Sequence, residues 1–269
     1  MQPNSALNAA GRIISDNTMT TAEINLFIGI DDTDNLESRG TGFRVRELAR
    51  EMREQGLAGT KSITRHQLFV SPEIPYTSHN SSACLRVRTE TEKRDDVVAY
   101  CREYLLRESA PGSDAGLCVV EEERIGDRVR QWGARAKDTV LTQLECRELA
   151  DSEGFFLEGL TGTHGGVIGA MAAVGLCHAG NDGRFLWARG IRDLDCGTYQ
   201  IGQMRALTDI DEFRHVDGMT VDDPASPIEI TDWARPVLLD GKAVLLLEGG
   251  DDKQNPVWRV AAKEIIKRY

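Results

Sequence analysis

Three aspartates stand within four residues: Asp31, Asp32 and Asp34 in IGIDDTDN. Carboxylates this close repel one another, and a cation relieves the repulsion. A hard ion such as Mg²⁺ takes one or two carboxylates and completes its shell with phosphate oxygens and water, so the stretch suits a metal-bridged nucleotide. An acidic turn, in which Asp34 or Thr33 satisfies backbone donors, fits the spacing as well. The next residues shift the balance. Arg39, Arg44 and Arg46 crowd the start of a helical pattern, where the helix dipole already places positive charge, and an anion there would relieve them. Gly40 and Gly42 flank Thr41 and permit close backbone approach to a phosphate. The competing reading pairs these arginines with Asp31, Asp32, Asp34, Glu37 or Glu47 on a solvated face.

Two further stretches carry candidate groups. IPYTSHNSS offers Tyr76, Thr77, Ser78, His79 and Asn80, a set of hydroxyls, an imidazole and an amide that suits a substrate loop and equally an exposed turn. His79 reads as a surface histidine. TGTHGGVIGA is rich in glycine before a helix, like a phosphate cradle, with Gly165 and Gly166 as the possible ligand contacts. It matches neither G-x-x-x-x-G-K-[ST] nor G-x-G-x-x-G, and the chain contains neither motif. Gly169, Ala172, Ala173 and Gly175 read as small residues that let this helix pack closely on a sheet.

The elements that must position these groups follow from periodicity. INLFIGI is an apolar run of strand length ending at the acidic turn. Val45, Leu48, Ala49 and Met52 fall at helical spacing, with Gly56 where a C-terminal cap belongs. SITRHQLFV and ACLRVRT are strands joined by the polar loop. Glu92 to Glu108 is helical, LCVVEE is a strand, and Asp127 to Ala150 forms one or two helices. After the glycine-rich helix come strands at FLWARGI, PIEIT and KAVLLLEGG, then helical spacing in WRVAAKEIIKRY. This predicts an α+β protein with a lead-in at 1–22, a first domain at 23–151 and a second at 152–269.

Composition bounds the function. Of 269 residues 41% are apolar, enough for a core, and no run is long enough to span a membrane. The net charge of −11 disfavours a broad nucleic-acid surface, so a polyanion needs a local arginine cluster. The six cysteines are scattered without a C-x-x-C pair, which fits reduced core thiols and a cytoplasmic protein, and argues against a zinc ribbon.

The motif IGIDDTDN with its following S-R-G, then IPYTSHNSSACL, GGVIGAMAAVG and RPVLL, in that order, resembles the archaeal tRNA 2-agmatinylcytidine synthetase family over about residues 24 to 250. Those enzymes modify a tRNA wobble cytidine with ATP and agmatine. They join a kinase-like D-D-T-D domain to a ferredoxin-like domain, followed by an OB-fold and a zinc ribbon. The resemblance implies that Asp31, Asp32 and Asp34 hold Mg²⁺ and ATP phosphates, with Asp32 and Asp34 catalytic. By the resemblance Asn80 would match a loop asparagine near the reacting groups and join Asp32 and Asp34 as catalytic; the helix-entry and glycine-rich stretches would place Arg39, Gly40, Thr41, Gly42, Arg44, Gly165 and Gly166 against the nucleotide. This chain departs from the pattern: no OB-fold or cysteine quartet follows, and Thr41 lies two positions from where the family places a phosphorylatable threonine pair. The leading expectation is an ATP- and Mg²⁺-dependent phosphotransferase or ligase that activates a carbonyl of a small molecule for attack by an amine. One alternative is a tRNA cytidine-modifying ligase using agmatine, with its RNA grip supplied elsewhere; another is a non-catalytic sensor of a nucleotide or polyamine.

Overall fold

A computed structural model of the chain describes residues 22–74, 79–249 and 257–269. The expected lead-in up to residue 21, Tyr76, Thr77 and Ser78 of the polar loop, and Gly250 lie outside the described residues.

The apolar alternation of the first strand decides the layering. In β1 (Glu23–Asp31) Leu26, Ile28 and Ile30 point to one face and Phe27 to the other, and all four are buried. The first face is covered by α1 (Thr41–Glu54) and α2 (Arg94–Glu108), through Val45, Leu48 and Met52 of one and Val97, Cys101 and Leu105 of the other. Each such apolar side chain contributes about 1.5–3 kcal/mol on burial. With β2 (Gly59–Gln67), β3 (Ser81–Glu90) and β4 (Gly116–Glu121), residues 23–121 run β-α-β-β-α-β in the order β4-β1-β3-β2, every neighbour antiparallel. This is the split βαβ arrangement. The resemblance places that topology after residue 152, whereas these strands all precede it.

The opposite face of the sheet is covered by α3 (Asp127–Arg135), α4 (Gln143–Glu153) and α5 (Val167–Ala179). Thr142 and Glu145 form a capping box at the start of α4, and Gly154 ends it in the left-handed conformation. Between α4 and α5, β5 (Phe156–Gly159) adds to the edge of β4. The close approach of α5 needs Gly29: a Cβ there would lie 1.9 Å from the carbonyl oxygen of Ala170. Small residues on α5 serve packing as expected, though Gly175 meets Val129 and Gly133 of α3 rather than the sheet.

The remaining elements are β6 (Arg184–Trp187), β7 (Gly197–Gln200), α6 (Ile201–Leu207), β8 (Glu212–His215), β9 (Pro227–Ile230), β10 (Val237–Leu239), β11 (Lys242–Gly249), β12 (Trp258–Val260) and α7 (Lys263–Ile266). β6 pairs antiparallel with β2, Arg65 opposite Arg184. Among the described residues a mixed sheet of twelve strands therefore runs β5-β4-β1-β3-β2-β6-β10-β11-β12-β9-β7, with β8 beside β11. One core cluster extends from Phe27 and Met171 to Phe213 and Trp258. The helical spacing of WRVAAKEIIKRY holds only for one turn: Trp258–Val260 is a strand, because it finds ladder partners on both β11 and β9. Among the described residues no helix is long and apolar enough to cross a membrane.

Candidate active site

Asp31 ends β1 between β3 and β4, and its side chain points to the α5 face. There it lies against Gly169 in the first turn of α5, where a Cβ would sit 1.9 Å from Asp31 Oδ2. The chain then turns through Asp32, whose φ of 50° is left-handed, a conformation that aspartate tolerates better than most residues. Thr33 is fully buried, and its hydroxyl donates to Thr41 Oγ1 at 3.0 Å. Thr41 Oγ1 in turn donates to Asp34 Oδ1 at 2.8 Å. The acidic loop is thus tied to the first residue of α1.

Asp31, Asp32 and Asp34 line a cavity of about 250 Å³ together with Asp114, Asn80, Gly165, Gly166 and Gly169. Its apolar wall includes Leu68, Ile74, Val140, Leu141 and Ile168. Loss of water raises the Asp31 carboxyl to about 8, with further upward pushes from Asp32 and Asp34. Asp32 rises to about 6, first through burial and then through the charges of Asp114 and Asp34. The cluster holds more carboxylates than it can ionise together without a cation.

On the other side of Asp34 lies a second cavity, of about 280 Å³, lined by Gly40, Thr41, Gly42, Arg46 and Arg65. Asp34, His79 and Ser81 border both. Arg46 and Arg65 are held below the usual guanidinium range, first by loss of water and then by like charge, Arg192 and Arg39 acting on Arg46 and Arg184 on Arg65. An acidic, partly apolar cavity therefore abuts a basic one that opens on the N-terminal turn of α1.

The residues singled out from sequence distribute unevenly. Asp31, Asp32, Asp34, Asn80, Gly165 and Gly166 converge on the first cavity, and Gly40, Thr41 and Gly42 on the second. Asn80 spends its amide N–H on the carbonyl of Phe69 at 2.6 Å, closing the base of the polar loop. Gly166 is fixed by packing, since a Cβ would meet the Asp114 carbonyl at 2.5 Å, whereas at Gly165 the nearest atom would be 3.5 Å away. Arg39 stacks over Phe43, 4.5 Å from the ring centroid. Arg44 is not brought to either cavity: it turns toward α2, where its Nη1 lies 3.8 Å from Glu108. Two positions further along α1, Arg46 instead donates to the Gly42 carbonyl and faces the second cavity.

Sequence reasoning missed Asp114 and Arg65. Asp114 precedes β4 and accepts from the backbone N–H and the hydroxyl of Thr163, holding the turn before α5. Its proximity follows only from the pairing of β1 with β4. Arg65 stands in the polar strand GTKSITRHQ beside Lys61 and His66, where nothing in the local sequence marks it as a site residue.

Among the described residues no group of three or more His, Cys, Asp or Glu side chains is arranged to hold a metal by itself. The donor set is nonetheless hard oxygen with charge to spare. It fits an ion that takes one or two carboxylates and draws its other ligands from phosphate and water, as Mg²⁺ does, and Asp34 also borders the basic cavity.

No protein-family profile matches the chain, and no curated protein matches it. Among solved structures, a tRNA fluorescent labeling enzyme superposes with a TM-score of 0.50 at 22% identity, over 56% of this chain and 36% of that one. A complex of TiaS with an isoleucine tRNA and ATP gives 0.49 at 23% identity, again over 56% and 36%. The similarity thus spans just over half of this chain and little more than a third of those proteins, and at these identities it concerns the fold.

Proposed function

We propose that the chain is an ATP- and Mg²⁺-dependent enzyme related to the tRNA 2-agmatinylcytidine synthetases. The observation that carries this reading is the meeting of two oppositely charged cavities at Asp34. A nucleotide spans them: its base lies against Leu68, Val140 and Leu141, and its terminal phosphate reaches the start of α1, Arg46 and Arg65. Asp31, Asp32 and Asp34 would hold Mg²⁺, which when bound neutralises phosphate charge. The protein's own part is positioning and charge, the main demands of phosphoryl transfer. Arg46 and Arg65 orient the terminal phosphate, the backbone at Gly40 approaches it without side-chain hindrance while Gly42 makes room for Leu186, and the Thr41 hydroxyl keeps Asp34 in place.

The reaction class is activation of a carbonyl. The carbonyl oxygen of the acceptor attacks the terminal phosphorus of ATP, forming a C–O–P linkage as the bond from that phosphorus to ADP breaks and ADP leaves. An amine nitrogen then bonds to that carbon and gives up a proton, and the C–O bond breaks so that the oxygen leaves as part of inorganic phosphate. ATP as the phosphoryl donor rests on the D-D-T-D resemblance and on the paired cavities. Calorimetric titration of Mg-ATP into wild type and Asp32→Asn tests the reading: saturable binding lost in the variant is expected, and the absence of binding to wild type refutes it.

A further inference from the structure

The basic character of the second cavity continues beyond its lining. Arg184 sits opposite Arg65 across the β2–β6 ladder, and like charges directly opposite are destabilising. Arg192, after β6, and Arg235, before β10, lie over the ring of Trp233 at 4.4 and 4.8 Å from its centroid. Among the described residues, Arg235 has an ion pair, with Asp232, while Arg184 and Arg192 have no carboxylate within ion-pairing distance. Elsewhere in this acidic chain arginines such as Arg86, Arg94, Arg128 and Arg214 are paired. Loss of water and the charge of Arg235 hold both Arg184 and Arg192 below the usual guanidinium range. Arg184 is half-buried and Arg192 exposed; cations that repel one another are a cost to the fold, and an anion is what would offset it.

The nucleotide reading employs Arg46 and Arg65 and leaves Arg184, Arg192 and Arg235 without a role. We infer that these three arginines, Arg192 and Arg235 on the Trp233 ring and Arg184 opposite Arg65 beside the terminal-phosphate end of the cleft, form a second anion site that binds a phosphate monoester carried by the acceptor. The reading of the acceptor rests on the function proposed above; the anion site does not. Guanidinium forks match phosphate oxygens bidentately, and a monoester dianion offers more charge per group than a carboxylate. The arginines form a short local cluster, with Arg184 and Arg235 partly buried, on a chain of net charge −11, which suits a small ligand rather than the extended track that a nucleic-acid strand requires.

The test uses the full chain, with ribose 5-phosphate as the monoester probe, a ten-nucleotide single-stranded RNA as the diester probe, and a non-hydrolysable ATP analogue with Mg²⁺ to fill the first site. Calorimetry should show ribose 5-phosphate binding with and without the analogue. Arg184→Gln and Arg192→Gln should each weaken it about tenfold or more, while the analogue's affinity stays within about threefold. Because Arg184→Gln removes a like-charge contact, its melting temperature in phosphate-free buffer should equal or exceed that of wild type, and the rise that the monoester gives wild type should be lost. The inference is overturned if ribose 5-phosphate does not bind, if the analogue displaces it, or if the RNA binds about tenfold more tightly than the monoester through the same arginines. Should the analogue fail to bind while the monoester binds in an arginine-dependent way, the nucleotide reading falls and the anion site stands.

Discussion

Gly169→Ala probes the acidic loop without touching a charge. The new Cβ would start 1.9 Å from Asp31 Oδ2 and 2.6 Å from its Cγ, where ordinary contact begins near 3.4 Å. The carboxylate must therefore retreat by roughly 1.5 Å, the difference between contact and overlap. Alanine in a helix interior is favoured over glycine by about 1 kcal/mol, while overpacking costs about 1–3 kcal/mol. Because the yielding atom is a carboxylate facing a cavity, the net loss should stay within about 2 kcal/mol. Nucleotide binding should suffer more: displacing a charge-assisted contact costs about 1.5–3 kcal/mol, or roughly 10- to 100-fold in the Mg-ATP dissociation constant. Gly29→Ala is the control. Its Cβ would strike the Ala170 carbonyl oxygen, also at 1.9 Å, and a helix backbone does not yield, so this variant should lose about 3 kcal/mol or fail to fold. Urea denaturation gives the stabilities and calorimetry the affinity. Wild-type affinity in a stably folded Gly169→Ala protein would refute the placing of Asp31 at the nucleotide site.

Neighbouring arginines should separate by function: Arg46→Gln weakens Mg-ATP binding about tenfold with little effect on melting, whereas Arg44→Gln leaves binding unchanged, as calorimetry will show. Fully buried His66 bridges Thr64 Oγ1 at 2.8 Å and Asp182 Oδ1 at 2.9 Å; burial lowers its pKa, but the bond to Asp182 and then Cys177 outweigh this and raise it overall. A raised folded-state value means that stability is fully present below the unfolded pKa of about 6.5 and is lost as pH rises through the folded value; urea midpoints should fall over that range, and Asp182→Asn should flatten the dependence while costing about 3 kcal/mol or more. Of the six cysteines Cys196 alone is exposed, so Ellman's reagent should find one fast thiol in the native protein and six after unfolding.

Much of the first half was legible because its signals are long and mutually consistent. The α1 stripe of Val45, Leu48, Ala49 and Met52 with Gly56 beyond it, the α2 stripe, and the runs that become β1, β3 and β4 all appear where periodicity places them. Shorter elements were hidden. β5, β7, β8 and β10 have three or four residues each, too few for alternation to stand out, and their identity comes from ladder partners distant in sequence. Trp258–Val260 carries helical spacing and forms a strand for the same reason. At the site, local motifs located the acidic loop, but they could not weigh neighbours. Arg44 and Arg46 look alike in sequence, and only the packing of α1 on α2 turns one to Glu108 and leaves the other at the cavity. Asp114 and Arg65 reach Asp32 and Asp34 through sheet pairing, which no local pattern encodes.

A crystal structure with Mg²⁺ and a non-hydrolysable ATP analogue tests the placing of one nucleotide across both cavities. The metal should be held by carboxylates of Asp31, Asp32 and Asp34, with the terminal phosphate against the start of α1, Arg46 and Arg65. A nucleotide bound elsewhere, or one whose phosphates avoid the arginine cavity, would contradict it.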